Sequence, residues 1–273
     1  MRSESLVLVA AALLRVPSRR LRALALGDES ALRDWLANES ATRLAEARRD
    51  ARLAAEQMLR SGARLVSLAD PLYPGGLKAL RDPPPFLIVR GTLERSPWAQ
   101  GVAIVGAREA GAEAAAFARA LAQRVPAPVV SGLALGIDAA AHEGALEAGS
   151  RTLAYVAHGL GRTYPPNHVA LEEAIVAAGG AVASERLPGE AAASWAFIKR
   201  DRLQAAHAAA VVLVQSRVDG GAMHTLRFAR ELERPCFVLE PRGGEDYAGN
   251  VQALALGARP LPWDLDEAAS RLR

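Results

Sequence analysis

The sequence predicts an α/β fold, a parallel sheet with helices on both faces preceded by a small helical domain, and three observations lead to it. From Gly101 onward, short apolar runs alternate with helix-like stretches. The runs are apolar at successive positions rather than at every second one, which marks strands covered on both faces. Residues 1–62 instead carry apolar positions at helical spacing.

The helical part comes first. Residues 6–14 read as an N-terminal helix: the apolar run is too short to span a membrane, and too little positive charge precedes it for a secretory signal. Gly27-Asp28 punctuates, and residues 29–60 are rich in alanine, leucine and arginine without a proline. The arginines Arg43, Arg48, Arg49, Arg52 and Arg60 read either as a solvated surface or as a face for nucleic acid. A proline-rich connector follows, with Tyr73-Pro74 and Pro83-Pro84-Pro85 around a short helical piece. A strand is predicted over 86–90, ending at Gly91.

Strands of the main sheet are predicted at 102–105, 129–130, 153–156, 181–183, 211–214 and 237–239. Helices are predicted at 112–124, 139–148, 169–178 and 223–232. In such sheets ligands sit beyond the carboxyl ends of the strands, so functional residues are expected just after each apolar run.

Composition narrows the function classes. With 51% hydrophobic and 23% charged residues in 273, the chain has the makings of a folded core and is not disordered. A formal net charge of +3 permits an anionic partner without requiring one. All the cations except Lys78 and Lys199 are arginine, whose planar fork suits phosphates and stacks on bases. The single cysteine, Cys236, lies in an apolar run and reads as a buried structural thiol, which fits a reducing, cytoplasmic setting.

Five loops carry the candidate chemistry. The first, residues 106–111, opens a helix with two glycines, Gly106 and Gly111, around Arg108, and suits an anion. It lacks the spacing of a dinucleotide fingerprint. The second, residues 131–138, holds Ser131, Gly132 and Gly136, with Asp138 expected as an N-cap and His142 one turn on. No further carboxylate or histidine nearby completes a metal or acid–base site. The third, residues 158–168, has Asn167 as the expected cap of the next helix, and no cysteine near His158 or His168 to suggest zinc. The fourth, residues 194–202, sets Trp195 and Phe197 beside Lys199, Arg200 and Arg202. That mixture suits single-stranded nucleic acid, with rings for stacking and cations for phosphates. It equally describes a helix with a buried aromatic face and a solvated basic one. The fifth, residues 219–225, is a second glycine-rich cradle with Gly220, Gly221 and Thr225.

In this order the loops resemble the DNA-processing protein A (DprA/Smf) family. The family's Val-Gly-Ser-Arg is matched by Val105-Gly106-Ala107-Arg108, and its Ser-Gly-x-Ala-x-Gly-Ile-Asp-x-x-Ala-His by Ser131 through His142. Gly159, Tyr164 and Pro165 fit its Tyr-Pro loop, with His168 at the family's asparagine. Ser184-Glu185 fits its Ser-Glu pair, and Phe197 followed by Arg200-Asp201-Arg202 fits its downstream Phe-x-x-Arg-Asn-Arg segment. The resemblance implies an extended Rossmann-like domain over 63–266 that binds single-stranded DNA without sequence preference. It implies a helical (SAM-like) domain over 1–62; residues 267–273 read as a tail without the C-terminal winged helix that many members carry. It further implies a cytoplasmic homodimer, loading of RecA recombinase during natural transformation, no cofactor and no catalysis. The expected DNA-contacting residues are Gly106, Arg108, Ser131, Gly132 and Gly136, then Phe197, Lys199, Arg200 and Arg202, and finally Gly220, Gly221 and Thr225. The apolar stretch 251–256 reads as a dimer contact or as an ordinary core helix.

Several positions depart from the family pattern. Ala107 lacks the serine hydroxyl, Asp201 replaces an asparagine and adds negative charge unless a neighbouring arginine neutralises it, and the fifth loop loses hydroxyls. The alternative reading is a nucleotide-binding phosphoribohydrolase of the "lonely guy" type, which shares a Gly-Gly loop before a threonine. That type places a catalytic glutamate three residues after the threonine, where this chain has Phe228.

Overall fold

The computed structural model describes residues 3–93 and 101–272; residues 1–2, 94–100 and 273, the last in the expected tail, lie outside the description. The chain opens with four helices: α1 (Ser3–Leu13), α2 (Ser18–Ala25), α3 (Ser30–Ala37) and α4 (Ala41–Arg60). Ser40 starts α4, its hydroxyl accepting from the Arg43 N–H at 3.2 Å. Leu14, Val16, Leu21, Leu32 and Ala47 form a small core among these helices. Leu8 and Val9 of α1, and Ala51 and Met58 of α4, join the larger core beneath the sheet instead. Packing is therefore continuous across residue 62.

The strands are β1 (Ala63–Ser67), β2 (Phe86–Gly91), β3 (Val102–Val105), β4 (Val129–Ser131) and β5 (Thr152–Tyr155), then β6 (Ala181–Ser184), β7 (Ala210–Leu213), β8 (Cys236–Leu239) and β9 (Arg259–Leu261). They form one sheet in the order β1-β2-β6-β5-β4-β3-β7-β8-β9. From β6 to β9 every pairing is parallel; β1 pairs antiparallel with β2, and β2 antiparallel with β6. The outer strands β1 and β9 have no counterpart in the sequence reading. Both are edges with exposed positions, including Arg64 and Arg259, so neither shows the continuous apolar run of a covered strand.

The remaining helices are α5 (Ala112–Arg124), α6 (Ile137–Glu147), α7 (Val169–Ala177), α8 (Ser194–His207), α9 (Ala222–Glu231), α10 (Ala248–Ala255) and α11 (Leu265–Ser270). Period-two alternation divides the central strands β3, β4, β7 and β8 between two cores. Val102 and Ile104 of β3 face Phe117, Leu121, Ile137 and Ala141 of α5 and α6. Ala103 and Val105 face the side that holds Leu203 of α8 and Leu226 of α9. No described helix is long and apolar enough to cross a membrane. Cys236 is buried and free.

Two expected caps are corrected. Gly136, at φ +73°, is the N-cap of α6; Asp138 lies inside the helix and turns its carboxylate back to accept from the Gly132 N–H at 3.1 Å. Likewise His168, not Asn167, is the N-cap of α7, because residues 166–168 already form a 3₁₀ turn.

Candidate nucleic-acid interface

The strand order reverses between β3 and β7, so their carboxyl ends define the crevice in which such sheets ordinarily seat a nucleotide. Here Gln215 fills it. Its carbonyl accepts from the Ala107 N–H at 2.8 Å, and its side-chain Oε1 accepts from the Gly111 N–H at 2.8 Å. The Gly111 amide at the start of α5, expected to attract an anion, is thus already occupied.

The open cleft lies to one side of this crevice, above β4 and β5. Arg108, Gly132 to Leu135, Val156 to His158, Tyr164, Pro165 and Phe197 line it. Its walls come from separate elements held by close backbone approaches. A Cβ on Gly106 would lie 2.6 Å from Ile137 Cγ1, and one on Gly136 would lie 2.3 Å from the Ala107 carbonyl, so these two glycines nest the first loop on the second. Ser131 is buried and donates from Oγ to the Ile104 carbonyl at 2.7 Å, tying β4 to β3.

Phe197, in the first turns of α8, is half-buried and forms one wall. The Arg108 guanidinium sits 4.6 Å from its ring centroid, and Tyr164, 44% exposed, stands 5.8 Å away. Arg108 is exposed and forms no ion pair among the described residues. The cleft therefore offers two rings and an exposed cation. His158 adds a buried imidazole whose Nε2 has no hydrogen-bond partner; burial, with the Arg200 charge nearby, pushes its pKa down to about 4. It is neutral at pH 7. His168, at the family's asparagine position, donates from Nδ1 to the Leu133 carbonyl at 2.9 Å and braces the strained residue Leu133, at φ +57°.

The other expected contacts fall elsewhere. Arg200 is buried beneath the second loop, donating from Nη1 to the Tyr155 carbonyl at 2.8 Å and pairing through Nε with Asp201 at 3.2 Å. Asp201 is thereby neutralised by Arg200, although burial and the Asp138 charge still push its carboxyl up to about 7. Arg202 is buried too, with Nη2 2.6 Å from Glu185. Thr225 is buried beside Gln204. The fifth loop leaves Gly221 exposed, while a Cβ on Gly220 would meet Ser216 Oγ at 2.3 Å; neither glycine lines the cleft. Lys199 is on the opposite side of α8, 44% exposed and 3.8 Å from Glu185. Of the twelve expected residues the cleft gathers Arg108, Gly132 and Phe197. Tyr164 and His158 were missing from that set; the Tyr-Pro pair after a strand was the available signal.

Comparison with known proteins agrees with this architecture. The family described as DNA recombination-mediator protein A matches residues 64–272. Protein Smf of Synechocystis is 34% identical over 190 residues, 67% of this chain and 48% of that protein. The DNA processing protein DprA of Bacillus subtilis is 27% identical over 210 residues, 76% of this chain and 70% of that one. This chain thus spans about half the length of the Synechocystis relative. The structure of DprA from Streptococcus pneumoniae superposes with a TM-score of 0.75 at 24% identity, covering 99% of this chain and 94% of that one. A structure of DNA processing protein A from Helicobacter pylori, described for its single-stranded DNA binding mode, gives 0.69 at 26% identity over 78% of this chain and 97% of that one. With three quarters of its length matched in register, the chain belongs to the DNA recombination-mediator protein A (DprA/Smf) family.

Proposed function

We propose that this protein binds single-stranded DNA without sequence preference, at the cleft between the second and third loops and α8. The observation that carries the reading is the pairing of Phe197 with an exposed, unpaired Arg108 at 4.6 Å, with Tyr164 alongside. Rings accept any base by its face, and a guanidinium at the rim serves the phosphate. Duplex DNA keeps its base faces stacked inside and cannot use such a wall. The Helicobacter pylori relative's description supports the same ligand. Within this reading the protein acts in DNA processing during natural transformation, hands the strand to RecA and works without catalysis, as the family resemblance implies. The exposed Val251 of α10 and Leu256, its C-cap, support a homodimer. The Gln215-filled crevice and Phe228 at the position of the catalytic glutamate both weigh against the phosphoribohydrolase alternative.

The test is a salt titration of binding to single-stranded and duplex oligonucleotides, alongside free nucleotides. Single strands are expected to bind more tightly, with a log–log salt slope of about −0.7 per phosphate contacted. Equal affinity for duplex, or tight binding of a mononucleotide, would count against the reading.

A further inference from the structure

A second cleft lies on the other side of α8. It has a volume of about 200 Å³, against about 40 Å³ for the first, and no part of the reading above uses it. Its walls come from two parts of the chain. Ala12, Ser18 and Leu21 belong to the N-terminal helices; Trp195 and Lys199 belong to α8. Val156 and Ala157, at the end of β5, line both clefts, so the two share a floor.

The helix repeat explains the arrangement. Trp195 and Lys199 are four residues apart and lie on one side of α8, while Phe197, two residues from each, projects to the opposite side. The first turns of α8 thus present one aromatic ring to each cleft. Trp195 is 55% exposed, with the Arg186 guanidinium 4.8 Å from its centroid. The carboxylates of this cleft are largely matched: Glu185 is held by Arg202 at 2.6 Å, and Glu190 lies 3.2 Å from Arg186. Lys199, 3.8 Å from an already paired Glu185 and 44% exposed, is left to meet an incoming anion.

We propose that the second cleft takes the neighbouring nucleotide of the same DNA strand, its base on Trp195 and its phosphate at Lys199, with α8 as a wedge between two adjacent bases. The inference rests on the single-strand reading of the first cleft and adds to it that the N-terminal helices form part of the DNA site.

The experiment measures binding of the full chain to oligothymidylates of increasing length, with melting of every variant. Trp195→Ala is expected to weaken binding of the longer oligomers about 5- to 150-fold while the shortest bound oligomer is held as before. Trp195→Phe should recover most of that affinity and abolish the part of the tryptophan quench caused by a stacked base. Ser18→Glu, placed on the helical side of the cleft and away from α8, should also weaken the longer oligomers. Parent-like binding of long oligomers by Trp195→Ala and Ser18→Glu, while Arg108→Ala loses affinity, would overturn the second subsite and leave the first intact. If the parent chain binds no oligothymidylate, both readings fall together.

Discussion

Gly132 and Arg200 approach so closely that a methyl group at residue 132 would lie 1.4 Å from the Arg200 Nη1 nitrogen. With its amide oxygen turned toward the donors, Gln204 accepts from that same nitrogen at 2.6 Å and from the Gly132 N–H at 3.2 Å. The second loop, which forms the base of the cleft, is therefore seated on a buried guanidinium. Gly132→Ala must displace either the loop or the arginine. Overpacking of this kind costs about 1–3 kcal/mol, and separating Arg200 from its partners adds to that. Melting should fall and DNA affinity should fall with it.

Arg108 and Phe197 are separable by salt. Arg108→Ala removes a charge-assisted contact, so the salt slope should shrink by about 0.7 of a unit. Phe197→Ala should cost about 1–3 kcal/mol of binding with the slope unchanged, and should leave melting nearly intact because the ring is half exposed. A large drop in melting for Phe197→Ala would return the ring to the core.

Arg202 should behave as a core residue. Its removal leaves the buried Glu185 without its 2.6 Å partner, which costs about 3–5 kcal/mol of stability. Denaturant unfolding of Arg202→Ala should show that loss. A variant with parent-like stability but weaker DNA binding would place Arg202 back at the interface.

Asp201 makes stability depend on pH. Its folded pKa of about 7 lies above the unfolded carboxylate value near ~4. The folded state therefore holds the proton more tightly, and this contribution, complete below pH ~4, is lost as pH rises through 7. Asp201→Asn keeps the shape and removes the titration. Its advantage over the parent should be small at pH ~4 and grow to about 1–4 kcal/mol at pH 8. Buried, neutral His142 and His207, both pushed down to about 3 by desolvation, act in the opposite sense, destabilising the fold as pH falls below ~6.5. Melting curves across that range test both signs.

The exposed Val251 of α10 tests assembly. If the proposed homodimer forms through α10, Val251→Asp is expected to convert it to monomer in light scattering without lowering the melting of the chain, since the side chain is 54% exposed. A monomeric parent protein at high concentration would count against the dimer.

The sequence by itself determined the covered strands of the sheet, though not its edges β1 and β9, because strands covered on both faces must be apolar at successive positions; the runs at 102–105 and 211–214 are legible as β3 and β7 on that ground alone. It also determined which loops face one edge, because every strand from β3 to β8 runs the same way. Tertiary structure decided which side chains those loops expose. Arg200 and Arg202 look as available as Arg108 in one dimension, yet α8 carries both inward onto Asp201 and Glu185. Gln215 carries no motif, yet it closes the nucleotide crevice by bonding two loops at once. Burial and hydrogen-bond partners depend on what packs from distant parts of the chain, and local spacing does not encode them. Tyr164 likewise reaches Phe197 only because the third loop and α8 meet above β5.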